Sequence, residues 1–275
     1  MFTVGSCTVL YNPNESVLTN LNSYSNCVDV SVVVDNSDTK NEISQSLKND
    51  PNFIYIDMDG NKGIAAALNK GIEYLNSKNI DFALTMDQDS LFPTKYCPNI
   101  LKLVDKYKTD YSVIGLNFNQ DNSGLDEIIE APYWITSGNF VNISDFMSVG
   151  GFMNELFIDY VDFELGYKFK KNGFKICYLK DFSLKHTIGN PIEIHLFGKT
   201  YHAMNHSPIR YYYRYRNAYY LYHFVNRQFF KKEYYKEMIV NTLKMLIYEK
   251  NQKVKFSMIR KGIQDAKCKK MGKFY

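Results

Sequence analysis

The sequence predicts an α/β fold with a mostly parallel central sheet flanked by helices, and three observations lead to this prediction. Short apolar runs alternate with helical patterns through the first half of the chain, a pattern typical of strand-helix units that build a parallel sheet. The run at residues 28–34 is rich in valine, as strands buried on both faces usually are. Three runs end in polar clusters, and the carboxyl ends of parallel strands form the ligand crevice of open sheets.

The strands are predicted from continuous apolar runs that stop at turn-forming or polar residues. The first stops before Asn12-Pro13, the second at Asp35, and the fourth runs directly into Asp87. In chain order, the predicted strands are residues 4–10, 28–34, 53–56, 82–86, 113–116 and 174–179.

The helices are predicted from capping residues and from apolar side chains at helical spacing. Asn14 is a preferred N-cap for the first helix. The glycines at residues 60 and 63 precede a helix whose apolar positions recur at Ile64, Leu68, Ile72 and Leu75. In chain order, the predicted helices are residues 14–23, a short one to 48, one from 64, then 93–108, 160–172 and a helical region from 208 to 275.

The charge distribution and the helical pattern divide the chain into two predicted regions, an α/β domain at residues 1–207 and a basic, aromatic-rich helical region at 208–275. Residues 201–275 contain 17 Lys and Arg against 4 Asp and Glu, a net charge of +13, whereas the residues before them carry −9. A basic surface with interleaved aromatics favours a peripheral, salt-sensitive contact with an anionic membrane. The predicted interfacial side chains are Tyr219, Tyr220, Tyr222, Phe224, Phe229 and Phe230. A solvated helical face or a subunit contact in a homo-oligomer is the alternative.

The cysteines and the apolar segments of the sequence favour a cytoplasmic location. The five cysteines are odd in number and form no C-x-x-C pair, so neither a disulfide framework nor a zinc site is expected. The sequence shows no signal-peptide pattern and no apolar run of the length that crosses a membrane. We therefore expect a cytoplasmic protein that attaches peripherally to the inner face of the plasma membrane.

Asp87 and Asp89 form an Asp-x-Asp pair directly after a wholly apolar strand. Two carboxylates at this spacing can bind one hard divalent cation, whose natural partner is a diphosphate. The alternative is that the two acids only cap the next helix or line a turn, which is the usual explanation of an isolated Asp-x-Asp. A second acidic cluster about seventy residues further on favours the metal.

That second cluster consists of Asp159, Asp162 and Glu164, at the predicted start of a helix. Acids in a first helical turn interact favourably with the helix dipole, and this alone explains one or two of them. Apolar neighbours at residues 157, 158, 160, 161 and 163 favour a raised pKa and a role in proton transfer. The cluster is therefore a candidate for a general base that acts beside a metal-held leaving group.

Taken together, these motifs resemble those of inverting family 2 glycosyltransferases of the GT-A fold, most closely the bacterial rhamnosyltransferase branch. The resemblance covers most of residues 8–217. The matching stretches are TVLYNP (8–13), VDNS (34–37), NKGIAAALNKG (61–71), LTMDQDS (84–90), SG (137–138), GGFMNE (150–155), FIDYVDFE (157–164), HTIG (186–189) and YRYRN (213–217).

The resemblance implies a role for individual residues. Asp162 resembles the catalytic base, and Asp89 and Asp87 resemble the acids that bind Mg²⁺ or Mn²⁺, a shell that His186 completes in some relatives. Residues expected to bind the nucleotide-sugar are Thr8, Tyr11, Asp35, Asn61, Asp87, Gln88, Arg214 and Arg216. Residues expected to bind the acceptor are Trp134, Asp159 and Glu164. His186 as a surface or core histidine is the alternative to its metal role.

The implied activity is that of a metal-dependent hexosyltransferase that inverts the anomeric carbon. The resemblance favours dTDP-β-L-rhamnose as donor and a saccharide or lipid-linked oligosaccharide as acceptor, in cell-surface polysaccharide synthesis. A UDP-sugar, galactofuranose or another hexose, is the alternative donor. A non-catalytic basic adaptor for membrane or nucleic acid is the alternative from another class, but it leaves the polar strand ends unexplained, and we expect no nucleic-acid partner.

Overall fold

In the computed structural model, eight strands form one sheet in the order β3-β2-β1-β4-β8-β6-β9-β7. The structure describes residues 2–117, 127–131, 133–186, 192–196, 199–203 and 205–274, without the side chains of 185–186, 192–196 and 199–203. The strands are β1 Val4–Leu10, β2 Val30–Asp35, β3 Ile54–Asp57, β4 Phe82–Asp87, β5 Ser90–Leu91, β6 Val113–Asn117, β7 Ile128–Glu130, β8 Asn139–Asn142, β9 Ile176–Ser183, β10 Lys185–His186, β11 Ile192–Leu196 and β12 Lys199–Ala203.

Each predicted helix is observed, and the last part of the chain is helical from Pro208 as expected, whereas the short helix at Ile143–Ser148 was not predicted. They are α1 Ser16–Ser25, α2 Glu42–Asn49, α3 Ile64–Ser77, α4 Cys97–Tyr107, α5 Ile143–Ser148, α6 Val161–Lys171, α7 Pro208–Tyr220, α8 Arg227–Tyr235, α9 Thr242–Tyr248 and α10 Gln252–Lys267. Short π-helical segments at Leu221–Val225 and Lys236–Asn241 join α7 to α8 and α8 to α9. Within the described residues, no helix is both long and apolar enough to cross a membrane.

The predicted mixed α/β fold with a mostly parallel sheet is confirmed. Strands β3, β2, β1 and β4 pair in parallel, and β6 pairs in parallel with β9. The exceptions are β8, which lies antiparallel between β4 and β6, and β7, which pairs antiparallel with β9. Neither strand was predicted from the sequence, because each has only three or four residues and lacks a long apolar run.

The chain forms two compact units, Met1–Asn154 with Asp162–Thr187, and Glu155–Val161 with Ile188–Tyr275. The core of the first unit surrounds the sheet, with completely buried side chains such as Leu84 and Phe140. In the second unit, α7 packs against α10. Gly262 allows this close packing, because a Cβ atom there would lie 2.4 Å from the carbonyl oxygen of Tyr212.

One covalent feature differs from the sequence-based expectation. Cys27, which follows α1, forms a disulfide with Cys97, the first residue of α4, across 70 residues of sequence. The pairing depends on how the fold brings α1 and α4 together, so no spacing pattern indicates it. Cys7 and Cys177 are buried free thiols, and Cys268 is exposed.

Candidate active site

The carboxyl ends of β2, β1 and β4 meet at one edge of the sheet. In the strand register, Leu10 of β1 pairs with Asp35 of β2, and Val9 of β1 pairs with Asp87 of β4. The polar residues that follow these strands are therefore neighbours, as the sequence predicts. This edge belongs entirely to the first unit and forms the candidate nucleotide-sugar site.

Gln88 connects the ends of β1 and β4 through two reciprocal hydrogen bonds. The backbone N–H of Tyr11 donates to Gln88 Oε1 at 2.9 Å, and Gln88 Nε2 donates to the Tyr11 carbonyl oxygen at 3.1 Å. The amide of Asn20 donates to the backbone carbonyl of Gln88 at 2.8 Å. Tyr11 remains 47% exposed, so its ring is available to a ligand while its backbone is held.

Asp35, at the same edge, is buried, and its carboxylate binds several neighbouring residues. Its side chain is 0% exposed and accepts hydrogen bonds from the backbone N–H of Ser37 at 2.9 Å and from the hydroxyl of Tyr55 at 2.7 Å. Burial raises the pKa of the Asp35 carboxyl, but hydrogen bonds from neighbouring hydroxyls and from Ser37 outweigh burial and lower its pKa overall. Lys40 lies 3.3 Å from Asp35 and 2.9 Å from Asp57.

Thr8 is also buried, although both Thr8 and Asp35 were predicted to contact the nucleotide. Its hydroxyl lies 2.5 Å from the hydroxyl of Tyr24, inside the core. Thr8 lies within β1, two residues before the strand ends, so its side chain packs in the core instead of facing the ligand edge. The structure thus gives Thr8 and Asp35 internal partners, and Tyr11 offers the accessible surface.

Asn61 joins the loop after β2 to the start of α3. Its side-chain oxygen accepts from Asn36 Nδ2 at 3.1 Å and from the backbone N–H of Gly63 at 3.0 Å, and its own N–H donates to Asp38 at 3.0 Å. Gly63 precedes α3 with φ of 90°, a conformation that other residues rarely adopt. Asn61 is partly exposed, so the predicted ligand contact is compatible with its place.

The Asp-x-Asp turn has donors that suit a hard cation. Asp87 is partly buried at the end of β4, and Asp89 is exposed. Mg²⁺ is commonly bound by one or two carboxylates together with substrate phosphates and water, so this pair fits the predicted metal. Among the residues that the structure describes, no group of three or more His, Cys, Asp and Glu side chains is arranged as a metal site.

The predicted third ligand, His186, is placed by its backbone only. It pairs with Ser90 across the short β5–β10 ladder, which puts its backbone beside the residue that follows Asp89. Its side chain lies outside the described part of the structure, as do residues 187–189 of the HTIG stretch. The metal role of His186 therefore stays a prediction.

Ser137 holds the backbone of Asp87, a role that the sequence did not reveal. Its hydroxyl accepts from the Asp87 N–H at 2.9 Å and lies 2.9 Å from the hydroxyl of Ser90. Both serines are completely buried. The SG stretch at 137–138 was recognised only as part of the family pattern, because a single serine carries no signal of such a contact.

Asp162 lies in the first turn of α6 and is partly buried. Its Oδ1 atom accepts from the backbone N–H of Phe163 at 2.9 Å. Burial raises the pKa of Tyr178 in β9, and the negative charge of the nearby Asp162 adds to that increase.

The segment 133–137 connects the surroundings of Asp162 with those of Asp87. The ring of Tyr133 contacts that of Phe163, with centroids 4.6 Å apart, while Ser137 binds the backbone of Asp87. Since four peptide units separate Tyr133 from Ser137, their Cα atoms lie at most about 15 Å apart. One five-residue segment of the first unit therefore contacts both the helix that carries the candidate base and the strand end that carries the Asp-x-Asp turn.

Two predicted acceptor-binding residues are buried in the first unit. Trp134 is 0% exposed and packs on Phe169, with ring centroids 5.4 Å apart. Glu164 is also buried and lies 3.2 Å from Lys168, whose ammonium donates to the carbonyl oxygen of Gly151 at 2.8 Å. These packing contacts differ from the direct acceptor contact that the resemblance implied.

The third predicted acceptor residue, Asp159, belongs to the second unit. Arg210 binds its carboxylate through two hydrogen bonds, at 2.9 and 3.2 Å. Asp159 lies in a segment where Phe157, Asp159 and Tyr160 all have φ between 62° and 68°. For residues other than glycine, such conformations cost about 1–3 kcal/mol each and persist only when their surroundings enforce them.

Asn217 and Arg216 of α7 enforce this conformation. The side-chain amide of Asn217 donates to the carbonyl oxygens of Leu156, Ile158 and Asp159 at 2.8 to 2.9 Å. Arg216 donates to the carbonyl oxygen of Leu156 at 2.9 Å and to two others, those of residues 155 and 272. We call Arg216 and Asn217 the backbone clamp. Its target is the segment that leads directly into Asp162.

These contacts differ from the predicted donor-phosphate role of Arg214 and Arg216. Arg216 is 0% exposed; it donates to three backbone carbonyl oxygens, and its Nε donates to the side-chain oxygen of Asn217. Arg214 forms an ion pair with the buried Glu237. Both guanidinium groups are mainly buried and bind partners within the second unit. The YRYRN motif does not indicate these internal contacts.

Comparison with known proteins identifies the class. The family model described as "Glycosyl transferase family 2" matches residues 7–155. The chain is 31% identical over 241 residues, 78% of its length, to dTDP-rhamnosyl transferase RfbF of Shigella flexneri, of which the match covers 77%. The chain belongs to glycosyl transferase family 2.

The fold agrees with solved structures of this class. The crystal structure of residues 1–349 of S. aureus TarS is similar with a TM-score of 0.59 and 15% identity, over 96% of this chain and 81% of that one. The same TarS fragment in complex with UDP-GlcNAc is similar with a TM-score of 0.57 and 14% identity, over 98% and 88% of the two chains. The expected GT-A architecture is confirmed.

Proposed function

We propose that this chain is an inverting rhamnosyltransferase that transfers L-rhamnose from dTDP-β-L-rhamnose to a hydroxyl group of a saccharide in cell-surface polysaccharide synthesis. The observation that carries the proposal is the 31% identity to a dTDP-rhamnosyl transferase over 78% of the chain. The exposed Tyr11 and the Asp-x-Asp turn at one sheet edge support it, because a nucleoside diphosphate needs both a flat stacking surface and a charged end to its site.

Asp162 acts as the general base in this proposal. Its carboxylate accepts the proton of the acceptor hydroxyl while the acceptor oxygen forms a bond to the anomeric carbon from the face opposite the diphosphate. The bond between that carbon and the diphosphate oxygen breaks, dTDP departs, and the product is an α-L-rhamnoside. Positioned proton transfer of this kind contributes about 10²–10⁴ in rate.

Asp87 and Asp89 are the residues that would hold Mg²⁺ or Mn²⁺ together with the donor diphosphate. A bound divalent ion supplies neutralisation of the charge that builds on the leaving group. Ser137 keeps the backbone of Asp87 fixed from behind, and Gln88 keeps the turn tied to Tyr11. The expected third ligand is His186.

The proposed location is the cytoplasm, at the inner face of the plasma membrane, with a lipid-linked oligosaccharide as acceptor. Its support is the net charge of +13 in residues 201–275, since each cation close to an anionic membrane surface contributes about 1 kcal/mol to binding.

The donor is tested by thermal shift and by donor hydrolysis with dTDP-rhamnose, UDP-GlcNAc and a GDP-sugar, each with Mn²⁺. A ligand that binds only the folded state raises its stability by mass action, so dTDP-rhamnose should give the largest shift and the fastest hydrolysis. A larger shift with UDP-GlcNAc would instead favour the UDP-sugar alternative, for which the similarity to TarS bound to UDP-GlcNAc is the supporting observation. Absence of turnover with all donors would favour the adaptor alternative.

The metal is tested by Asp89→Asn and by EDTA. A neutral amide is a poorer ligand for a hard cation, so Asp89→Asn should lose turnover and bind dTDP more weakly in Mn²⁺ while it unfolds at the same temperature. Asp110→Asn, at an exposed turn, is the matched control and should behave as wild type. Full activity of Asp89→Asn, or of wild type in excess EDTA, would contradict metal dependence.

A further inference from the structure

An exposed apolar face lies on the segment that joins α8 to α9 and on α9 itself. We call it the 239–247 face. Its side chains are between 42% and 63% exposed. A helix at the surface of a globular protein normally places polar side chains towards the solvent. The members are Ile239, Val240, Leu243, Leu246 and Ile247.

The opposite side of the same segment is already packed. Met245 is 0% exposed, Glu237 is 3% exposed, and Glu249 at the end of α9 is 4% exposed. The segment thus has a complete inner side, and the 239–247 face is a second apolar side with nothing against it among the described residues. Contiguous apolar surface of this kind usually marks an interaction site.

The exposed charged side chains of residues 205–274 are all basic. Residues 201–275 contain four acids, and all four are buried: Glu233, Glu237, Glu249 and Asp265. Three of them bind cations of their own unit closely, in the pairs Glu237–Arg214, Glu249–Lys255 and Asp265–Lys261. The exposed lysines that flank the face in sequence are Lys231, Lys232, Lys236, Lys250 and Lys253.

The aromatic side chains that were predicted to reach a membrane are mostly unsuited to it. Tyr222 and Phe230 are 3% and 1% exposed, and Tyr222 stacks on Tyr234 with centroids 4.2 Å apart. Of the six predicted side chains, only Phe224 is exposed. Apart from Phe224, apolar contact of this region with lipid must therefore come from other residues.

We propose that the 239–247 face is the lipid-inserting surface of this protein and that its occupant is an anionic bilayer. The inference rests on the proposed function, because a lipid-linked acceptor requires the enzyme at that surface. The apolar side chains enter the boundary between headgroups and acyl chains, to a depth of about 5–10 Å as for other interfacial helices. The surrounding lysines contact the anionic headgroups.

Charge decides between a bilayer and a second copy of the chain. A symmetric contact would place the 239–247 face against itself and bring the same lysines of both copies together, without exposed acids in residues 201–275 to pair with them. Like charges across an interface oppose association. An anionic lipid surface is complementary to both the apolar side chains and their cationic surroundings.

The test is flotation of the full chain with vesicles of phosphatidylglycerol and phosphatidylethanolamine, at 0.1 M and 0.5 M salt. The test variant is Leu243→Ser/Ile247→Ser, at exposed positions where substitutions rarely change stability by more than about 0.5 kcal/mol. The matched control is Ile54→Ser/Ile129→Ser, which removes exposed isoleucines from two strands of the first unit. Thermal unfolding verifies that both variants fold.

We expect wild type and control to bind the vesicles and to stay partly bound at high salt, because salt screens the lysines but not the apolar insertion. The test variant should bind at least about tenfold more weakly, equivalent to about 1.4 kcal/mol, and should be released completely by salt. Equal binding of variant and wild type overturns the proposal, as does absence of wild-type binding. A wild-type dimer that the test variant converts to monomer would reassign the face to a subunit contact.

The outcome is separable from that of the proposed function. Donor hydrolysis in solution needs only the first-unit site, so the test variant should retain wild-type turnover without vesicles. Loss of vesicle binding with retained hydrolysis supports the lipid surface alone. Hydrolysis that is absent in wild type contradicts the proposed function and leaves the vesicle result to be judged by itself.

Discussion

The two units use the same kinds of charged residue in opposite ways. In the first unit, Asp89 is exposed, and Asp87 at the sheet edge and Asp162 in the first turn of α6 are partly buried, so their carboxylates can meet a ligand. In the second unit, Arg216 and Glu249 are buried and bind partners of the same unit. Membership in a family motif therefore does not reveal whether a charge faces a substrate or supports the backbone. Burial and hydrogen-bond partners distinguish the two.

The largest expected effect is on the transfer rate, and it should differ between substitutions of Asp162 and Asp159, which lie three residues apart. Asp162→Asn should lose about 10²–10⁴ in the transfer rate, the usual contribution of a positioned base, and should still bind dTDP. Asp159→Asn should retain most of the chemistry and lose stability, because its carboxylate is held by Arg210. The measurements are single-turnover transfer and urea unfolding of both variants. The reverse pattern would mean that Asp159 is the base and that the comparison of the two units fails.

The next effect tests a buried pair of the second unit. Lys255→Met leaves Glu249 as an uncompensated buried carboxylate, and removing one partner of such a pair usually costs about 3–5 kcal/mol. In wild type, burial raises the pKa of Glu249, but hydrogen bonds from Lys255 and Tyr211 outweigh burial and lower its pKa overall. Glu249 therefore stabilises the folded state above its unfolded pKa, and that contribution is lost as the pH falls through the lower folded pKa.

In the variant, burial dominates, so the pKa of Glu249 should rise and the carboxyl should be protonated more easily. The difference in unfolding free energy between wild type and Lys255→Met should thus be largest at pH 7 and shrink towards pH 4, as urea titrations at several pH values would show. The double variant Lys255→Met/Glu249→Gln is the control and should recover much of the loss at pH 7. A difference that does not change with pH would contradict the assignment.

Most strands of the first unit could be predicted from the sequence for physical reasons. Strand β1 was predicted to the residue, and the other five predicted strands overlap the observed ones, because most of them are buried and rich in apolar residues. The start of α1 was predicted two residues early, since Asn14 accepts from the backbone N–H of Ser16 as a cap would, ahead of the helix. Strand β8 was missed because its place depends on β4 and β6, which are distant in sequence.

The candidate site could be predicted as a set of motifs but not as a set of contacts. The register of β1 with its two neighbours confirmed that the polar strand ends meet. The bond from Tyr55 to Asp35, the ion pair of Arg214 with Glu237 and the backbone clamp were not predictable. Each joins residues that are 20 to 61 positions apart, and nothing in the local sequence specifies such a partner.

A smaller effect is expected at the backbone clamp. Asn217→Ala removes a buried amide that serves three carbonyl oxygens, and unsatisfied buried groups cost about 1–3 kcal/mol. The matched control is Asn172→Ala in the first unit, an exposed amide that donates to one carbonyl oxygen, that of Lys168, and it should change stability by less than about 0.5 kcal/mol. Urea unfolding measures both. Equal losses would mean that the clamp adds no stability beyond an ordinary surface amide.

The smallest expected effect concerns Gln88, which shares features of both regions because it lies at the ligand edge and yet binds backbone. Gln88→Met keeps the size of the side chain and removes both hydrogen bonds to Tyr11. Hydrogen bonds contribute about 0.5–1.5 kcal/mol each to stability, and these two are partly exposed, so we expect a stability loss of about 1 kcal/mol.

The same substitution should also affect donor binding. If Tyr11 stacks on the donor base, its loosened backbone should raise the KM for the donor about fivefold and leave kcat unchanged. Gln45→Met, on the exposed side of α2, is the control. A fall in kcat as large as that of Asp162→Asn would instead place Gln88 at the reacting atoms, and its contact with Tyr11 would then be secondary to catalysis.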